Sequence, residues 1–233
     1  MCYHFFHLPI AGPRIVTMRL ASLLEFPARY HVVPTQEVAV IRAVQQSSER
    51  ELTSMRWGLI PSWVRDPAEV TAMMANARAE TLAAKASFKQ AYQKRRCLIL
   101  ADGFFEWKRH LSSKQPYCIR PSDRDLVTFA GIWERWEKKE QVIESCSIVT
   151  TAAKGQIAEL HDRMPVMLPS KLHDQWLDPA ETKTSRLDAL LNPVNMLLDV
   201  YPVKPLKGRN ANSDPTTIEP IEAPLVQRGL FDS

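Results

Sequence analysis

The chain has 233 residues, 45% of them hydrophobic and 24% charged, which suits a soluble globular fold with a substantial core. No apolar run approaches the about 20 residues that span a bilayer, and the start, MCYHFFHLPI, lacks the basic leader and long apolar stretch of a secretory signal. A cytosolic, membrane-free protein is expected, and the net charge of +4 hints only mildly at an anionic partner.

In chain order, residues 37–44 and 52–60 read as strands, being rich in β-branched residues between turn signals. Residues 80–96 read as a helix, rich in Ala, Lys and Gln with a basic end. Residues 97–108 are apolar and aromatic and predict a strand interrupted at Asp102-Gly103. Residues 116–120, 126–133 and 143–151 predict further strands, and 154–160 and 169–177 short helices. A helix over 182–191 would stop at Asn192-Pro193, and 196–203 predicts a last strand. Beyond Pro205 the chain reads as loop, with a flexible tail from 221 to 233. Strands and helices do not alternate strictly, which disfavours a doubly wound parallel sheet. The expected fold is α+β, a single domain over 1–220 with a largely antiparallel or mixed sheet. A monomer is expected.

Charge is uneven. Between Lys85 and His110 there are seven Lys/Arg against two acids, while the segment 213–233 has four acids and one Arg. A solvated basic helix face explains such a run as well as an anionic ligand does. The four cysteines, Cys2, Cys97, Cys118 and Cys146, form no C-x-x-C pair and suit reduced thiols. Three lie in apolar, strand-like runs and read as small buried hydrophobes.

Cys2 differs because it follows Met1. Removal of Met1 exposes a 1,2-aminothiol. An α-amine has a pKa of about 7.7–8.0 against about 10.4 for Lys, so far more of it is neutral at pH 7. A neutral amine attacks an aldehyde to give a Schiff base, and the neighbouring thiol can close a thiazolidine ring. A metal site competes for Cys2, His4 and His7, but on a strand Cys2 and His4 would face one way and His7 the other. No second Cys/His cluster follows, so no metal and no cofactor are expected.

Three other segments carry chemistry. In Asn76-Ala77-Arg78-Ala79-Glu80-Thr81, Asn76 and Arg78 share a face if extended, and Arg78 offers a fork for phosphate. The competing reading is a helix start, with Glu80 favouring its N-terminus. In Asp102-Gly103-Phe104-Phe105-Glu106-Trp107, a carboxylate among aromatics is expected to have a raised pKa, useful for acid–base work. His161-Asp162-Arg163-Met164-Pro165 places a histidine at a junction, either as a proton shuttle or as a capping residue.

Taken in order, Cys2, Arg29-Tyr30-x-x-x-Pro34, Trp57-Gly58-Leu59-Ile60-Pro61-x-Trp63, Asn76 to Thr81, Asp102 to Trp107, Thr150-Thr151-Ala152-Ala153 and His161 to Pro165 resemble the SRAP family, the SOS response-associated peptidase domain. The resemblance runs from Cys2 to about Pro220. It implies a bifurcated mixed sheet with flanking helices, and a protein of the DNA-damage response that crosslinks to abasic sites in single-stranded DNA. Cys2 would be the nucleophile, Asn76 would hold the sugar-derived aldehyde and the Cys2 terminus, Glu106 would be the general acid–base, and His161 would assist proton transfer. Arg78 and Arg163 would grip phosphates, Thr150 would add a hydrogen bond, and Trp63 and Phe88 would stack on or wedge against bases. The family name also implies a peptidase that removes residues ahead of Cys2 with the same nucleophile. That cysteine peptidase reading is the rival to DNA crosslinking. The family usually begins Cys-Gly-Arg-Phe or -Tyr, whereas this chain has Cys2-Tyr3-His4-Phe5, so His4 takes the place of a cationic phosphate contact. An Asn of the Arg-Tyr-Asn-x-x-Pro pattern is His31 here.

The end of the chain, Gln227-Arg228-Gly229-Leu230-Phe231-Asp232-Ser233, resembles the short peptide by which bacterial repair proteins dock on the sliding clamp. Leu230 and Phe231 would fill an apolar pocket and Gln227 would make the polar contacts. The alternative is a Leu-Phe pair tucked against the protein's own core. A cytoplasmic, nucleoid-associated location follows from the DNA reading.

Overall fold

Strand β10 (Gln141–Ala152) organises the molecule, because four other strands pair with it. The computed structural model describes residues 2–18, 20, 24–44, 49–70, 72–109, 114–192, 196–206 and 214–221. On one edge β10 takes β9 (Val127–Lys138) and then β11 (Arg163–Pro165), both antiparallel. Its other edge takes β4 (Arg50–Trp57) at Ser145 and Cys146, then β5 (Asn76–Arg78) from Ile148 to Thr150, both parallel. The sheet therefore forks where β4 leaves and β5 arrives. β3 (Glu37–Ala43) and β6 (Arg96–Ala101) pair antiparallel and complete a ring, β10-β4-β3-β6-β9 and back to β10. Closure removes the exposed edges that an open sheet would present.

A second sheet of five antiparallel strands runs in the order β12 (Leu198–Pro202), β8 (Lys114–Pro121), β7 (Gly103–Arg109), β1 (Phe5–His7) and β2 (Arg29–Val32). Asp102 is the joint between β6 of the ring and β7 of this sheet, as the interruption at Asp102-Gly103 predicts. Its buried carboxylate accepts from the Leu8 amide at 2.7 Å and pairs with Arg14.

Side-chain alternation builds the core. On β6, Leu98 and Leu100 join a cluster with Phe88 and Tyr92 of α1 (Ala86–Lys94), Trp176 of α2 (His173–Leu177) and Leu187 of α3 (Thr184–Leu190). Cys97, Ile99 and Ala101 point the other way, into a cluster shared with Phe5, Phe104 and Ile119 of the five-stranded sheet. Both faces of β6 are covered, so it reads as one continuous apolar run instead of an alternating one. The far face of the five-stranded sheet carries a smaller cluster of Phe6, Phe105, Cys118 and Val203.

The α+β expectation holds, with differences at several elements. The strand expected over 52–60 ends at Trp57, because Gly58 turns the chain with a φ of 126° that suits glycine alone. The helix expected over 80–96 begins only at Ala86, since residues 76–78 are committed to pairing with β10 and the chain must turn before it can coil. Residues 155–159 form a 3-10 turn and not an α-helix. The basic run is partly structural: the buried Arg96 guanidinium donates to the carbonyls of Tyr92, Gln93, Trp176 and Glu181, and Arg95 pairs with Glu134. Residues 214–221, expected as loop, fold back on β12, where the Ile221 amide donates to Pro202 at 3.0 Å. Residues 222–233, and so the Gln227–Phe231 motif, lie outside the described residues. No helix among the described residues is long and apolar enough to cross a membrane.

Gly103 is where the sheets come closest to the chain start. A Cβ there would sit 2.5 Å from the Ile119 carbonyl oxygen and 2.7 Å from a Phe6 ring carbon. Because one obstacle is backbone, Gly103→Ala is expected to destabilise by about 1–3 kcal/mol, as overpacking does. Thermal unfolding should show a fall of several degrees, and an unchanged midpoint would contradict this packing.

Candidate active site

The first residues of a chain usually fray unless something ties them down. Here Cys2 is fully buried in the cluster between the two sheets. Its carbonyl accepts a 2.9 Å hydrogen bond from Asn76 Nδ2, and its thiol lies 3.9 Å from the His4 carbonyl. The Phe105 amide donates to that same His4 carbonyl at 2.9 Å.

Asn76 can hold the terminus because β5 is itself held. The Trp57 indole donates to the Ala75 carbonyl at 2.9 Å, and the Leu59 amide and the Ser147 hydroxyl both donate to the Met74 carbonyl. The Ser145 hydroxyl accepts from the Ile60 amide at 2.8 Å. The Trp57-Gly58-Leu59 segment is thus the clamp that fixes the approach to Asn76. Ala77 packs with the helices, so Asn76 and Arg78 project from the opposite face, as the extended reading requires. Asn76 is buried and Arg78 is exposed at the rim.

Glu106 enters from β7. Phe104 points into the cluster between the sheets, and Glu106, two residues on, points the same way. Burial raises its pKa to about 7; the negative charge of Asp162 adds to this, while the positive amino terminus opposes it. Burial and then the Glu106 charge also push the Cys2 thiol far above its ordinary value, again against the amino terminus. Cys2, Glu106 and the amino end of the chain therefore share one field. Burial also raises the Tyr3 hydroxyl, which meets the Asn76 side chain.

His161 approaches from the turn before β11. Its Nδ1 lies 3.0 Å from the Arg163 amide and 2.8 Å from Asp162 Oδ1. One nitrogen cannot accept from the first and donate to the second together. The neutral ring accepts from the amide, and the protonated ring donates to the carboxylate, so the geometry serves both states. Arg163 is gripped by Glu80 through two bonds of 2.7 and 2.9 Å, and donates to the Thr150 carbonyl at 2.6 Å. This fork fixes the His161 turn to the segment after β5. The bond from Arg163 holds Glu80 below the usual carboxylate range. Thr150 is buried on β10 between Arg78 and Pro165.

Three expectations need correction. Phe88 cannot meet a base, since it is 4% exposed and sits in the helix-side core with Ala91 and Tyr92. His4 is not a phosphate cation: its Nδ1 lies 2.7 Å from His31 Nε2, and burial, then the His31 ring, bring its pKa down to about 4. Cys2 and His4 do not share a face either. Residues 2–4 precede β1, and His4 turns toward Trp107 while Cys2 enters the cluster between the sheets. Trp63 belongs to neither large cluster and is 66% exposed, on a segment held by Trp136 Nε1 at the Val64 carbonyl. Among the described residues no group of three His, Cys, Asp or Glu is placed to hold a metal. Glu80, Asp162 and Tyr3 were not singled out from sequence. Asp162 and Glu80 lie inside segments already marked, and their charges were the available signal.

The raised Glu106 carboxyl has a consequence for stability. The folded protein keeps its proton between the ordinary value of 4.5 and about 7, where the unfolded chain has released it. Its contribution to stability is present below the ordinary value and is lost as pH rises through about 7. Glu106→Gln is therefore expected to gain stability relative to the parent between pH 5 and pH 8. Paired melting curves at the two pH values would check this, and a difference that does not change with pH would contradict it.

A family model described as SOS response associated peptidase (SRAP) matches residues 10–209. The chain is 37% identical over 198 residues to a Bacillus subtilis (strain 168) protein named Abasic site processing protein YoqW, a match covering 84% of this chain and 87% of that protein. It is 34% identical over 200 residues to Abasic site processing protein HMCES of Gallus gallus, covering 76% of this chain and 59% of that protein. Among solved structures, a protein from Bacteroides thetaiotaomicron superposes with a TM-score of 0.80 at 28% identity, covering 94% of this chain and 100% of that one. The chain therefore belongs to the SOS response associated peptidase (SRAP) family.

Proposed function

We propose that the protein processes abasic sites in single-stranded DNA by forming a thiazolidine crosslink through Cys2. The observation that carries this reading is the burial of Cys2 at the amino end, pinned by Asn76 and electrically coupled to Glu106. The names of the relatives support it. Once Met1 is removed, the Cys2 amine attacks the aldehyde carbon of the opened sugar to give a carbinolamine. Loss of water gives the protonated Schiff base, whose nitrogen keeps its hydrogen, and the thiol sulfur then adds to the same carbon as it gives up its proton. Glu106, half protonated near pH 7, donates to the departing hydroxyl and takes the proton from the thiol. His161 with Asp162 exchanges protons at the rim, and Asn76 holds the nucleophile's backbone. Arg78, exposed at the rim, offers a fork for the strand's phosphates, Arg163 would reach one only by exchanging Glu80 for it, Thr150 supports Arg163 from behind, and Trp63 offers a ring for a base.

A peptidase acting through the same residue is the second reading, and the family description supports it. A resting cysteine nucleophile needs a lowered thiol pKa, whereas the Cys2 thiol is raised. That favours chemistry in which the amine acts first and the thiol follows.

Expected outcomes are direct. Cys2→Ala should form no heat-stable adduct with an abasic single-stranded oligonucleotide, and protein that retains Met1 or an uncleaved tag should form none. An abasic site within continuous duplex should react much more slowly. Gel shift after heating reads all three, and a full-strength adduct with Cys2→Ala ends the proposal.

The tail adds a partner. We propose that Gln227, Leu230 and Phe231 dock on a bacterial sliding clamp, which would raise the local concentration of the protein near replicating DNA. Calorimetry of a peptide spanning residues 224–233 against a clamp should show binding that is lost on Leu230→Ala with Phe231→Ala. No heat at high micromolar peptide would exclude it.

A further inference from the structure

His4 and His31, read in sequence as two separate departures from the family pattern, touch each other. His4 Nδ1 lies 2.7 Å from His31 Nε2, and the rings are nearly parallel, at 11° and 5.0 Å between centroids. The Trp107 edge meets His4 at 4.6 Å, and Phe105 meets His31 at 6.3 Å. A bond between two imidazoles needs one hydrogen and one lone pair, so at least one of the two rings is neutral and the pair cannot carry two imidazolium charges.

The pair sits where backbone pairing runs out. β1 is only three residues long, and it pairs with β2 at Phe5↔Val32 and His7↔Arg29 across an irregularity in register. Nothing in that ladder reaches residues 2–4. On the β7 side the Phe105 amide holds the His4 carbonyl, and ahead of it Asn76 holds the Cys2 carbonyl. On the β2 side the tie is the imidazole pair. Residues 2–4 are thus held from β5, from β7 and from β2.

We propose that His4 and His31 work as one positioning pair that sets the Cys2 amine and thiol for capture of the aldehyde, and that His4 makes no phosphate contact. The inference rests on the crosslinking chemistry proposed above. Closing the ring requires nitrogen and sulfur of one residue to reach one carbon in sequence, and such reactions lose about 100-fold in rate for displacements near 1 Å.

The test is single-turnover adduct formation with His4→Ala, His31→Ala and the double variant, alongside the parent. Each single variant should slow the reaction roughly 10- to 100-fold, and the double variant should be no slower than the singles, as for groups that act as a unit. His31→Gln, whose amide can replace the bond, should recover most of the rate. The salt dependence of binding to an intact single strand should not change in His4→Ala, since a lost phosphate contact would lower the slope by about 0.7. Rates equal to the parent, effects that multiply in the double variant, or a lower salt slope would each overturn the proposal. The ring ¹⁵N signals of the parent protein give a second check that no folding defect can blur: His4 Nδ1 and His31 Nε2 should share one hydrogen at pH 6.5, and two imidazolium rings, or no coupling between these nitrogens, overturns the pair. A parent protein that forms no adduct would instead end the crosslinking reading.

Discussion

The hydrogen bond from Asn76 to the Cys2 carbonyl is the interaction on which the rest depends. It joins the second residue of the chain to a three-residue strand that has no independent stability. β5 exists because β10 offers it an edge past the point where β4 leaves, and because Trp57, Leu59 and Ser147 bind the two carbonyls ahead of it. The forked sheet is thus the means by which a terminus is held as firmly as a core strand. Without the fork, Asn76 would have no fixed address and Cys2 would fray.

Placing Glu106 in the same apolar space sets its protonation. In water a glutamate is a carboxylate at neutral pH and serves poorly as an acid. On the same buried face of β7 as Phe104 it is poised between its two forms, with Asp162 adding to the shift. The same burial suppresses the Cys2 thiolate. A site that relied on a resting thiolate would be badly served, while one that uses a neutral amine first and a thiol second is well matched.

Much of this was legible in the sequence. The segments around Cys2, Asn76 and Glu106, far apart in sequence, meet in the structure, and the break at Asp102-Gly103 marks the passage between sheets. What failed did so for physical reasons. The resemblance assigns Phe88 to base contact, yet Phe88, Ala91 and Tyr92 recur at helical spacing, which is the signature of a core-facing stripe. β1, β2 and β11 are three or four residues long and form because partners await them, so local propensity carries little trace of them. The His4–His31 pair spans 27 residues of sequence and joins two positions that look unrelated until the strands meet. Two of the seven basic residues of the run, Arg95 and Arg96, are scaffolding, because a guanidinium that binds carbonyl groups at helix ends looks the same in sequence as one awaiting an anion.

The burial of Cys2 also has a consequence in time. Its partners lie at residues 76 and 106, and Asp162 acts on Glu106, so Cys2 leaves the ribosome well before the site that encloses it can exist. At synthesis rates of about 5–20 residues per second, the interval before β11 emerges is on the order of ten to thirty seconds. During that window the peptide bond ahead of Cys2 lies in solvent, open to any processing enzyme. Once β10 has gathered β5, Asn76 is in place and Cys2 is buried. If Cys2 acts as proposed above, removal of Met1 and folding are competing clocks, and the long sequence separation of the site gives the first of them a head start.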